Sequence, residues 1–152
     1  MRATWVTPTD KPCSPDELRA EGIVHDAFDP KAIELAILHV KQKHGVPKDE
    51  LVFMTTDNPK DEAAIAKEAD EHAHMADEVR LIVEGEAVYE VRAEDDRWMR
   101  LALGPGEAIV IPAKRYHRFL LSGVAVRYQQ LYQDLASLMP FYRVSNDETR
   151  AV

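Results

Sequence analysis

His72, His74, Glu78 and His117 are the residues of this chain whose types and spacing point most directly to chemistry. They read His-x-His-x-x-x-Glu, with a further histidine well downstream. Imidazole nitrogen and carboxylate oxygen together suit a borderline first-row ion such as iron, nickel, manganese or zinc. In an extended strand, side chains two residues apart face the same way. His72 and His74 therefore point together, and Glu78 and Arg80 share their parity where the strand continues. Histidine pairs also occur on exposed strands by chance. Here the pair is followed in register by Glu78, then by Gly85, and then by the run Gly106-Glu107-Ala108-Ile109-Val110-Ile111-Pro112 that leads to His117. The pattern predicts one metal ion held on the inward face of a small β-barrel.

Those side chains need a frame, and the chain divides into a helix-rich first part and a strand-rich remainder. Ser14-Pro15-Asp16-Glu17 is a helix start: Ser14 can cap, Pro15 suits the first turn and Glu17 completes a capping box. That helix is predicted to end near Gly22, with a brief strand at 23–25. From Pro30, the spacing of Ile33, Leu35, Ala36, Leu38 and Val40 predicts an amphipathic helix to about His44, stopped by Gly45. A strand is expected at 51–54, then a turn at 57–59 and a helix through Ala69. Beyond Glu71, strands are expected at about 72–75, 78–84, 86–93, 97–103, 107–111, 117–121 and 124–132. Turn signals separate them at Gly85, 94–96, 104–106, Pro112 and 122–123. Many short strands with tight connections predict a mainly β antiparallel sandwich or jelly-roll barrel with an α-helical N-terminal part. At 152 residues a single domain is expected, with the helix-rich part at 1–70, the metal-binding barrel at 71–143 and a tail at 144–152.

Composition narrows the function classes. A formal charge of −8 and scattered Lys and Arg argue against a nucleic-acid surface. No stretch approaches the ~20 apolar residues that a membrane span needs. Cys13 is the only cysteine, so no disulfide within the chain is expected, and a reducing, cytoplasmic setting is the economical home. His25, His39 and His44 lack ligand-like spacing and are expected to pack or to face solvent.

The stretch from His72 to His117 resembles the cupin superfamily. The first half of its pattern is present as His72, His74, Glu78 and Gly85, and the second as Gly106, Pro112 and His117. Lys114 and Leu121 stand where that pattern usually has glycine and asparagine. Within the superfamily, three segments are similar to the acireductone dioxygenase family. These are 57–62 leading to 71–80, then 81–85 with 89–92 and 95–98, then 106–113 with 116–119. Residues 14–18 and 21–23 fit as well. The resemblance implies one Fe2+ per chain, with Ni2+ as the alternative, held by His72, His74, Glu78 and His117. Two adjacent coordination positions would stay open for a small enediol substrate that reacts with O2. In that family iron gives formate and the keto acid that is transaminated to methionine, whereas nickel gives carbon monoxide, formate and a shorter thioether acid. A monomer is expected.

Around this ligand set, strand parity turns Arg80 toward the metal cavity, where a guanidinium can brace a carboxylate or meet a substrate oxygen. Its alternative role is a structural ion pair inside the barrel. Phe119 shares the face of His117, and the family uses a phenylalanine there to wall the substrate pocket. Ile82 lies deeper on the Arg80 face, as core first and pocket lining second. Gln130 stands where the family typically carries an arginine, and Leu138 where it carries a tryptophan. Those two departures keep a second reading open, a cupin oxygenase or isomerase for another enol. A third is a metal-bearing cupin that binds a partner without catalysis.

Overall fold

The computed structural model describes residues 1–143, so the tail expected at 144–152 lies outside the described residues. Ser14 caps α1 (Pro15–Ala20) through the expected box: its hydroxyl accepts from the Glu17 N–H, and its own N–H donates to the Glu17 carboxylate. β2 (Val24–Ala27) follows, and then α2 (Ile33–His44), which starts three residues after Pro30 and ends at Gly45 in the left-handed region. β3 (Lys48–Thr55), a 3-10 turn at Pro59–Asp61 and α3 (Glu62–Ala69) complete the first part, together with β1 (Arg2–Trp5).

The remainder is β4 (His72–His74), β5 (Glu78–Arg92), β6 (Trp98–Leu103), β7 (Glu107–Ile111), β8 (His117–Tyr132) and β9 (Pro140–Tyr142). All nine strands belong to one antiparallel sheet, ordered β1-β6-β5-β8-β4-β9, with β7 bridging β2 and β5 and with β3 on β8. The mainly β architecture expected from the strand pattern, with its α-helices in the first part of the chain, is the one found.

Three details differ from the strand pattern. Gly85 and the Ser122-Gly123 step were expected to be turns, yet β5 and β8 run through them and pair along most of their length. At Gly85 the chain makes a bulge, with register shifts on both sides. Its φ is +78°, and a Cβ there would lie 2.4 Å from the Ala125 carbonyl oxygen, so glycine serves close approach rather than reversal. β1 and β9 carry too few residues to announce themselves, and pairing with β6 and β4 makes them strands. Leu35 and Leu38, counted toward the buried stripe of α2, are exposed; the helix packs through Ala36 and Val40.

Two apolar clusters result. The inner one includes Ile82, Tyr89, Ile109, Ile111, Phe119 and Tyr128. The outer one lies beneath α2 and includes Ala36, Val40, Val79, Leu81, Val110 and Leu131. β5 belongs to both, because its successive side chains alternate between them.

Candidate metal centre

β4 places His72 and His74, the start of β5 places Glu78, and the start of β8 places His117 directly opposite His72 in register. One ligand atom from each of the four lies within 4.8 Å of all the others. All four are largely buried, His117 at 1% exposure and Glu78 at 9%.

The histidines are oriented for coordination by their outer nitrogens. His72 Nδ1 lies 2.6 Å from the Asp70 carbonyl, His74 Nδ1 3.3 Å from that of Met139, and His117 Nδ1 2.9 Å from that of Arg115. A carbonyl only accepts, so each Nδ1 carries the proton and each Nε2 keeps a free lone pair. Nε2 of His74 and of His117 is buried without a hydrogen-bond partner, although each lies 3.2 Å from a Glu78 oxygen. Two inward-facing imidazole nitrogens without hydrogen-bond partners, beside a carboxylate, suit coordination of a cation. Three tautomer-fixed imidazoles and one carboxylate fit a single divalent first-row cation.

Glu78 is held from behind. Tyr89 donates its hydroxyl proton to Glu78 Oε2 at 2.7 Å, and Arg80 Nη2 lies 3.3 Å from Oε1. Burial alone would raise the Glu78 carboxyl, but the Arg80 charge and the two nearby imidazoles outweigh it and hold its pKa well below the usual carboxylate value. Burial pushes the His72 pKa down, which favours the neutral, ligating form. At His74 the Glu78 carboxylate outweighs burial and the pKa rises.

A cavity of about 200 Å3 opens onto His72 and His74, with Arg80, Gln130, Leu138 and Tyr142 among its walls. Arg80 is fully buried and pairs with Glu68 through two hydrogen bonds of 3.0 Å. Gln130 lines the cavity, as expected for a pocket residue, and its Oε1 lies 3.4 Å from Arg80 Nη2. Phe119 and Ile82 are buried in the inner core and are not among the cavity's lining side chains. Phe119 instead lies under the guanidinium, its ring centre 4.8 Å from Cζ. Sequence reasoning missed Glu68, Tyr89 and Tyr142. β9 sets Tyr142 against His72, with ring centres 5.9 Å apart. Glu71, just before His72, holds Arg92 at 3.0 Å and Arg143 at 3.1 Å, tying β9 to the base of the site.

The fold and the four clustered side chains together define a cupin-type barrel with a candidate metal site. The ARD/ARD' family model matches residues 16–134, and the chain belongs to that family. Among curated relatives, the acireductone dioxygenase of Leishmania infantum is 38% identical over 115 residues, which is 71% of this chain and 33% of that protein. The chain therefore spans about a third of the length of that relative. The acireductone dioxygenase of Branchiostoma floridae is 26% identical over 150 residues, covering 97% of this chain and 85% of its own. A solved acireductone dioxygenase from Bacillus anthracis, with a cadmium ion in its active centre, superposes with a TM-score of 0.82 at 19% identity. The superposition covers 93% of this chain and 98% of the other, and it establishes the shared fold. No helix among the described residues is long and apolar enough to cross a membrane.

Proposed function

We propose that the chain is an acireductone dioxygenase that cleaves its enediol substrate with O2 to formate and 4-methylthio-2-oxobutanoate, in methionine salvage. The observation that carries this reading is the ligand set: three imidazoles with Nδ1 tied to carbonyls and one carboxylate converge on one point, and two of the imidazoles, His72 and His74, line a cavity. Family membership and relatives of that name support it.

His72, His74, Glu78 and His117 would hold one Fe2+ per chain, with Ni2+ as the alternative. Such an ion, when bound, supplies a Lewis acid for the enediolate oxygens and a route for electrons to O2. The chain's own residues do the rest. Tyr89 donates to one oxygen of the Glu78 carboxylate and the Arg80 guanidinium pairs electrostatically with the other, which together hold its geometry as charge develops nearby. Gln130 presents a neutral amide to the substrate's oxygens. Leu138 and Met54 give the cavity an apolar wall suited to a thioether tail. A cavity of about 200 Å3 takes a small molecule. All four ligands come from one chain, so a monomer suffices, and the single cysteine supports a cytoplasmic setting.

The test is oxygen uptake. Iron(II)-reconstituted protein is mixed anaerobically with acireductone and then exposed to oxygen. Consumption well above spontaneous oxidation, with formate as product, is expected. A fully metallated protein that gives no acceleration would contradict the assignment. Turnover of another enol by that protein would favour the alternative cupin oxygenase or isomerase, for which Gln130 is the motivating residue.

A further inference from the structure

Arg80 is 1% exposed, and a buried guanidinium needs partners on every side it can find them. Its Nη1 and Nη2 donate to Glu68 Oε2 and Oε1, each at 3.0 Å, a bidentate pair that ties α3 to β5. The same Nη2 lies 3.3 Å from Glu78 Oε1 and 3.4 Å from Gln130 Oε1. Nη2 carries two hydrogens, and these go to Glu68 Oε1 and Gln130 Oε1, while Nε is buried without a hydrogen-bond partner. The rings of Tyr128 and Phe119, at 4.5 and 4.8 Å from Cζ, flank the guanidinium. Arg80 lines the cavity, yet the nitrogen nearest the metal ligands has no hydrogen left for an incoming anion.

Two other groups on the cavity wall are free to act. A guanidinium only donates, so the Gln130 atom facing Arg80 is its oxygen, and the amide nitrogen makes no hydrogen bond among the described residues. Lys67 also lines the cavity and forms no ion pair among the described residues. Glu68 itself is a fifth exposed on its side chain and lines the same space.

We infer that Glu68 is a positioning and specificity-determining residue: its carboxylate commits Arg80 to bracing Glu78 and withholds the guanidinium from the ligand. The oxygens of that ligand then meet the Gln130 amide and the Lys67 ammonium. The cavity accordingly favours a compact enediolate of low charge with an apolar tail over a ligand with two full negative charges. The inference rests on the proposed function only in taking the ligand to be an anion that chelates through oxygen.

Oxalate is the probe, titrated calorimetrically into the full chain loaded with Zn2+, which supports no oxidative turnover. Glu68→Gln frees Arg80 and should tighten oxalate binding about tenfold, the effect of one charge-assisted hydrogen bond gained. Glu62→Gln removes the same charge from the exposed start of α3, away from Arg80, and should leave the affinity unchanged. Equal affinity in the wild type and Glu68→Gln, binding by neither, or an equal gain in Glu62→Gln would overturn the inference. Because zinc replaces iron throughout, the result is independent of whether the iron-loaded protein consumes acireductone.

Discussion

The two faces of β5 solve opposite problems within five residues. Val79 and Leu81 point outward into a dry cluster with Ala36 and Val40 of α2 and with Val110 and Leu131. Glu78, Arg80 and Ile82 point inward, the first two carrying full charges at 9% and 1% exposure. The outward face gains from area removed from water, a non-directional term in which one methylene does much the work of another. On the inward face every charge is matched to a named partner: Glu78 to Tyr89, Arg80 and the imidazoles, and Arg80 to Glu68. Strand alternation thus lets an apolar core on one side hold the backbone still while reactive groups on the other are aimed at one point.

The comparison breaks most severely at Arg80. Arg80→Met leaves Glu68 and Glu78 without their counter-charge, and should cost about 3–5 kcal/mol in chemical denaturation of the metal-free protein. It should also weaken metal binding, measured by competition with a chelator. On the outward face, Leu81→Ala opens a cavity in the α2 cluster and should cost about 2–4 kcal/mol. The folded fraction should keep its full metal content, and a parallel loss of metal would show that the two faces are not separable. Tyr89→Phe removes only the hydroxyl that orients Glu78. Roughly tenfold weaker metal binding is expected, with little change in the melting temperature. The smallest effect lies outside the site, at His25, two strands across the sheet from Arg80. Burial lowers the His25 pKa below its ordinary 6.5, only partly offset by Glu107. The unfolded chain therefore takes up that proton more readily. The corresponding stability is present above pH 6.5 and is lost as the pH falls below it. His25→Gln should lose less melting temperature than the wild type between neutral and mildly acid pH.

Three of the four candidate ligands were legible from parity: His72, His74 and Glu78 are all even-numbered, and the structure brings them together with His117, which only the downstream motif pointed to. Arg127, three residues before Gln130 and of opposite parity, pairs with Glu84 and does not line the cavity. The same rule hid Tyr89. The bulge at Gly85 adds a step, so odd residues beyond it turn inward, and Tyr89 meets Glu78 despite opposite parity. Glu68 was illegible for another reason. It sits on a helix, and its pairing with Arg80 depends on how α3 packs against the barrel, which no spacing within either element encodes. Phe119 was placed on the right face by its distance from His117, but its depth beneath the guanidinium is a packing outcome.

The most direct test of the account is metal content. The wild-type chain, equilibrated anaerobically with iron(II) and desalted, should retain one ion per chain by mass spectrometry. His74→Ala, which removes one of the site's two unpartnered Nε2 atoms, should retain almost none while keeping its β-sheet circular dichroism. Stoichiometric iron in a folded His74→Ala protein would show that these four side chains are not the site.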